Sequence, residues 1–116
     1  MRTSSAKSKG RNLQKWVRDT LLSLDKNLTV DDVRSTAMGQ SGVDIQLSSA
    51  AKKEFPFSIE CKNLARIAVY SLYDQAEANS GELTPILVIK QNRSKPLVVV
   101  DAEWFFKEFN ENRRSS

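Results

Sequence analysis

Gly42-Val43-Asp44-Ile45-Gln46-Leu47, followed after a short gap by Phe55-Pro56-Phe57-Ser58-Ile59-Glu60-Cys61-Lys62, is the stretch that decides how this chain reads. Both segments alternate apolar and polar residues with period two, the pattern of half-buried strands. Val43, Ile45 and Leu47 share one face of the first, with Asp44 and Gln46 on the other. In the second, Phe57, Ile59 and Cys61 oppose Ser58, Glu60 and Lys62. Folded back as an antiparallel hairpin, with Ser48 opposite Pro56, the strands match Leu47 to Phe57, Ile45 to Ile59 and Val43 to Cys61. That register sets Asp44 opposite Glu60, with Cβ atoms roughly 5 Å apart. Registers slipped by two residues also match apolar to apolar. Facing carboxylates repel unless a cation sits between them. A divalent metal fits that place, and Lys62 lies one pleat further along the same face. The alternative is a solvated polar face, the ordinary state of charges on an antiparallel hairpin.

The residues before and after this stretch supply an order of elements. Leu13, Trp16, Val17, Thr20, Leu21 and Leu24 fall on one face of a helix expected from about Arg11 to Leu24. Asp32 to Thr36 reads as a first strand. Ala37 to Gly42 is a glycine-containing loop, without the Gly-Lys-Ser/Thr of a phosphate-binding P-loop. Ala65 to Asn79 reads as a helix stopped by Ser80-Gly81. Two apolar strands follow, Thr84 to Gln91 and Pro96 to Val100. Asp101-Ala102-Glu103 then opens a last helix with an acidic cap, which Trp104, Phe105 and Phe109 are expected to hold on the sheet. The expected order is α-β-β-β-α-β-β-α, an α/β fold in a single domain over residues 10–110. Residues 1–9 form a basic, disordered arm in this reading, and residues 111–116 a charged, frayed tail.

The pattern Val43-Asp44 … Glu60-Cys61-Lys62 resembles the PD-(D/E)xK nuclease superfamily, with Val43 in place of the usual proline. Within it, the chain is most similar to the archaeal-type Holliday junction resolvases and similar small phage nucleases. The likeness extends to the basic first helix, Val33-Arg34, the Gly/Ser-rich approach to Asp44, the helix bearing Asp74-Gln75-Ala76-Glu77 and the final strand pair. It implies a restriction-endonuclease-like αβββαβ core, with a mixed central sheet flanked by helices. It also implies a metal-dependent DNA endonuclease, with Mg²⁺ (Mn²⁺ substituting) held by Asp44, Glu60 and the Cys61 carbonyl. Lys62 would act on the attacking water, and Gln75 would help place that lysine or water. Gln14 stands where the resolvases carry a metal-associated Glu, and its amide offers no negative charge. The open alternatives are a less selective repair, restriction or phage DNA-degrading nuclease, and a non-catalytic DNA-binding protein on the same fold.

Composition narrows the chemistry independently. The 116 residues carry a net charge of +4, with 40% hydrophobic and 28% charged residues, an ordinary globular composition. The basic Lys9, Arg11, Lys15, Arg18 and Arg34 suit phosphate contacts, and the resemblance to the resolvases adds Gln14 and, in the loop before Asp44, Gln40 and Ser41 to the expected DNA contacts. The chain has no histidine, which excludes His-based metal sites and Ser-His or Cys-His hydrolases. Any hydrolysis must run on carboxylates and lysine. The single Cys61 excludes an internal disulfide, fits a reducing cytoplasm and falls on an apolar strand face, where a small buried hydrophobe is expected. No apolar run reaches membrane-spanning length. The resemblance to the resolvases implies two symmetric nicks on a four-way junction, hence two active sites and a homodimer. Trp104, Phe105, Phe106 and Phe109, with Tyr70 and Tyr73, are its candidate surface, Phe106 being the aromatic expected to lie outside the core.

Overall fold

The computed structural model describes residues 2–36 and 43–115. Gln40 and Ser41, two of the expected DNA contacts, lie outside the described residues. The order is α1 (Arg2–Leu24), β1 (Val33–Ser35), β2 (Ile45–Leu47), α2 (Ser49–Glu54), β3 (Phe57–Asn63), α3 (Val69–Ala78), β4 (Thr84–Lys90), β5 (Leu97–Val99) and α4 (Ala102–Ser115). The architecture is α/β, with a mixed three-stranded sheet β3-β4-β5 and a two-stranded antiparallel sheet β1-β2 beside it. β3 and β4 run parallel, pairing Ile59 with Ile86, Glu60 with Leu87 and Lys62 with Ile89. β5 returns antiparallel on β4.

Two apolar layers follow from that register. Ile59, Cys61, Ile86 and Val88 point to one side, where they join Val33 and Ile45 under Leu13, Val17 and Leu21 of α1. The spacing of those three α1 residues is the helical period read in the sequence. Leu87 and Ile89 point to the other side and pack on α3 through Ala76 and Leu72. Since side chains alternate along a strand, Ser58, Glu60 and Lys62 project to the α3 side of β3.

The expected hairpin is not formed. β2 pairs with β1, with Arg34 opposite Gln46, and β3 takes its ladder from β4. The physical reason lies in residues 48–55. Ser48 caps a short helix by accepting a hydrogen bond from the Ala51 N–H (3.1 Å), and Ala50, Ala51, Lys52 and Lys53 are good helix formers. A helix in place of a tight turn separates the strands. β3, expected to keep a solvated face, is instead buried on both faces from Ser58 to Cys61.

Other boundaries also shift. α1 reaches back to Arg2, over the stretch read as a disordered arm, and α4 runs on to Ser115 through the expected tail. Both extensions are free of proline, and Ala, Lys, Glu and Arg favour helix. α3 starts at Val69, four residues later than expected. Its stop is as read: Gly81 takes φ +58°, a conformation that glycine alone adopts without strain. On α4, Trp104 packs edge-to-face on Phe57, centroids 6.2 Å apart. Phe105 and Phe109 do not join it; both are exposed, as is Phe106. Among the described residues no helix is long and apolar enough to cross a membrane.

Candidate active site

Asp44 is the joint between the two sheets. Its carbonyl accepts from the Thr36 N–H (2.7 Å), and its own N–H donates to the Ile59 carbonyl (3.2 Å). Its carboxylate Oδ2 accepts from the Cys61 N–H at 2.6 Å. These bonds set Asp44 beside Ile59 and Cys61 on the free edge of β3, rather than in a ladder directly opposite Glu60. The Thr84 N–H to Pro56 carbonyl and Leu64 N–H to Lys90 carbonyl bonds show that even-numbered residues of this strand face β4. Odd-numbered ones face the Asp44 side. The N–H and C=O of one strand residue project to the same edge, so the Cys61 carbonyl lies on the Asp44 edge too.

Glu60 is 6% exposed, and its Oε2 is buried without a hydrogen-bond partner. Burial first, and the nearby Asp44 carboxylate second, push its pKa up to about 7; Lys62 and a hydrogen bond from the Asn79 side chain pull the other way. Asp44 is also raised, by burial, against the lowering effects of the Cys61 N–H and the Lys62 charge. Half-buried Lys62 is thus the cation that both carboxylates feel. An acidic pair held in low dielectric, one of its oxygens unsatisfied and one lysine beside it, is an unfavourable arrangement for the empty protein. A divalent cation would relieve it.

The donor set suits such an ion within limits. Two carboxylates and one backbone carbonyl on the same edge leave the remaining positions to water or phosphate oxygens, as Mg²⁺ prefers. Among the described residues no group of three or more His, Cys, Asp or Glu side chains could hold a metal, so an all-protein cage is not present there. Cys61 is buried, and its thiol pKa is pushed up by burial and then by Asp44 and Glu60. It is no nucleophile.

The other expected residues divide by face. Gln75 is exposed on α3, one turn before Asn79, whose N–H bonds its carbonyl (3.1 Å). Arg34 is exposed opposite Gln46, on the face of the small sheet that carries Asp44 rather than Ile45. Gln14 is buried in α1 (4% exposed) beside Leu13 and Val17, which sets it apart from the exposed Arg11 and Lys15. Lys9 is half-buried, and Arg18 is paired with Asp19 at 2.9 Å. Helix α1 packs the face of the sheets opposite to Asp44 and Glu60, so its cations are not gathered around the carboxylates.

Two neighbours of the site were not singled out from the sequence. Asn79 reaches Glu60 from the C-terminal end of α3, and its position one turn after Gln75 was the available signal. Ser58, 2% exposed with its Oγ unpartnered, precedes Glu60 by one pleat on the same face. Neither spacing is informative until the strand is known to be buried on both sides. No family model matches this chain, and the searches of curated proteins and of solved structures find no match either.

Proposed function

We propose that this protein is a metal-dependent DNA endonuclease of the PD-(D/E)xK type, acting as a structure-selective, Holliday junction resolvase-like enzyme. The observation that carries the reading is the buried Glu60 carboxylate with a free oxygen, raised in pKa beside Asp44 and attended by Lys62. In-line phosphodiester hydrolysis needs an activated water and neutralised phosphate charge. Asp44, Glu60 and the Cys61 carbonyl would hold Mg²⁺ or Mn²⁺, which when bound lowers the pKa of water and screens the phosphate. Lys62 would orient the attacking water and stabilise charge on the phosphate oxygens, and Asn79 would keep Glu60 in place. Gln75, exposed on α3 one turn before Asn79, would help place that lysine or water.

The partner in this reading is DNA, branched or duplex, and the enzyme works as a homodimer. Trp16 and Phe105, 51% and 47% exposed, line an apolar groove of about 490 Å³ between α1, β5 and α4, and α4 also exposes Phe106 (64%) and Phe109 (58%). With roughly 100 Å² exposed on each, given about 150–250 Å² for a whole aromatic side chain, two such faces bury on the order of 800 Å². Val98, also exposed and lining this groove, brings the total near the roughly 1,000 Å² of a specific interface.

One observation favours a second reading, a non-catalytic DNA-binding protein on this fold. Asp44 already has a structural task, capping the Cys61 N–H. Cleavage assays on four-way junction, duplex and single-stranded DNA with Mg²⁺ or Mn²⁺ decide. Junction cleavage lost in Glu60→Gln supports the resolvase. Equal cleavage of all substrates moves the reading to a less selective nuclease. No cleavage of any, with DNA still bound, leaves the second reading.

A further inference from the structure

The ends of β3 and β4 carry a feature that the nuclease chemistry does not use. Because the two strands are parallel, the loop after β3 and the turn after β4 emerge at the same end of the sheet, whose rim they form. They are fastened together there: the Leu64 N–H donates to the Lys90 carbonyl (3.1 Å), and Gln91 Nε2 donates to the Ala65 carbonyl (3.2 Å). Lys62, Arg66, Lys90, Arg93 and Lys95 lie on these two segments. No Asp or Glu occurs in residues 61–73 or 83–100. Residues 2–18 of α1 also carry cations and no acid, with Arg18 paired to Asp19, the first acid of the chain. Arg66, Arg93 and Lys95 are exposed and Lys90 half-buried. Together they form a field of one sign on a rigid edge.

Two details point to what this edge meets. A shallow cleft of about 270 Å³ opens there, with an apolar floor that includes Ile67, Ile89 and Leu97 and a rim of Lys90, Ser94 and Lys95. No aromatic side chain lines it, so a base has no stacking platform, and the rim groups suit phosphate oxygens. Arg93 sits in the Gln91–Ser94 turn, closed by the Ser94 N–H to Gln91 carbonyl bond (3.1 Å), with φ +61°. That seat ordinarily goes to glycine or asparagine, and here it presents a guanidinium outward. Across the ladder, Lys62 of the candidate active site neighbours Ile89, the residue before Lys90. Ile89 of the cleft floor thus shares a face of the sheet with Lys62, and the cleft opens on the active-site side.

We propose that the β3–α3 loop and the β4–β5 turn form a second phosphate-binding surface, through Arg66, Lys90, Arg93 and Lys95, which grips the backbone of duplex DNA beside the active site. This rests on the reading of the protein as a DNA enzyme, but it is tested without cleavage. Binding of the full-length protein to a fluorescent duplex is followed by anisotropy in EDTA over a range of salt concentrations. The expected result for Arg66→Gln/Arg93→Gly/Lys95→Gln is a log–log salt slope smaller by up to about 2.7, at about 0.9 for each phosphate no longer neutralised. Lys15→Gln/Arg18→Gln on α1 should change it less. Arg93→Gly alone should melt no lower than the wild type, since glycine is unstrained at that φ, yet bind more weakly; this separates the loss of a phosphate-binding group from damage to the fold. An unchanged slope in the triple variant, or no duplex binding by the wild type, overturns the inference. So does a triple variant that keeps duplex binding while losing anionic phosphatidylserine vesicles. A changed slope in a protein that never cleaves DNA sinks the nuclease and leaves the surface standing. An unchanged slope in a protein that does cleave sinks the surface alone.

Discussion

Replacing Glu60 by glutamine should make the metal-free protein more stable at pH 8 and leave it unchanged near pH 4.5. Glu60 has its pKa raised from 4.5 to about 7, chiefly by burial. Between those values the native state keeps a proton that the unfolded chain has released, so stability falls as pH rises through that window. Its contribution is fully present below about pH 4.5 and is gone above about pH 7. At about 1.36 kcal/mol per pH unit, the full gap corresponds to about 3 kcal/mol. Solvent that reaches the site screens the carboxylate, which reduces this to about 2 kcal/mol. Glutamine resembles the protonated acid in shape and has nothing to lose on deprotonation. For a domain of this size a gain of about 2 kcal/mol raises the melting temperature by roughly 8 °C.

The assay is urea or thermal denaturation of both proteins at pH 4.5 and pH 8 in EDTA, then at pH 8 with Mg²⁺. Asp44 is raised in the same direction, so some pH dependence should survive in the variant. Asp32, lowered by its Thr29 and Ser48 partners, acts with the opposite sign, losing stability only as pH falls towards and below its ordinary 3.8. Mg²⁺ should restore stability to the wild type by mass action and do little for Glu60→Gln. Parallel pH curves for the two proteins would refute the account of Glu60 as a buried acid strained by its neighbour.

Three further outcomes are expected. Asp44→Ala should lose about 1.5–3 kcal/mol of stability in urea titration, the worth of a hydrogen bond to a charged group, because it frees the Cys61 N–H; Asp44→Asn keeps an acceptor there and should lose DNA cleavage with less loss of stability. Lys62→Ala should lower the single-turnover cleavage rate by a large factor while calorimetry still records metal binding, as for a group acting in the transition state. Phe106→Ser/Phe109→Ser should convert a sedimenting dimer to monomer with the far-ultraviolet circular dichroism unchanged, whereas a wild type that sediments as a monomer even on junction DNA removes the dimer.

The sequence carried the elements further than their connections. Alternation marked β3, and the 3.6-residue period marked the core face of α1, because both patterns record which side of one element meets other apolar groups. Pairing is not recorded in that way. Ile45 matches Ile59 in hydrophobicity, but it pairs with Ser35, because Ser48 and the residues after it form a helix where a hairpin would need a turn. Likewise, Trp104, Phe105 and Phe109 are equally apolar in the sequence. Trp104 packs on Phe57 of the sheet while Phe105 packs on Phe106 of its own helix, since three such residues so close on one helix cannot all face the same strand.

The same failure of the hairpin is what gives the candidate site its character. In a regular ladder the Cys61 N–H would be satisfied by the backbone of the facing strand, and the Asp44 carboxylate would stand free beside Glu60. Without that ladder, the free edge of β3 presents an N–H that water reaches poorly, and Asp44 Oδ2 takes it at 2.6 Å. One oxygen of Asp44 is therefore held in place by the backbone, while Glu60 keeps Oε2 unpartnered. Fixing the first carboxylate limits how far the pair can swing apart, so Asp44 adds to what burial, the larger cause, does to raise the pKa of Glu60. In the proposed enzyme a cation would gain from relief of that repulsion without the cost of ordering the Asp44 carboxylate, which the Cys61 N–H already holds.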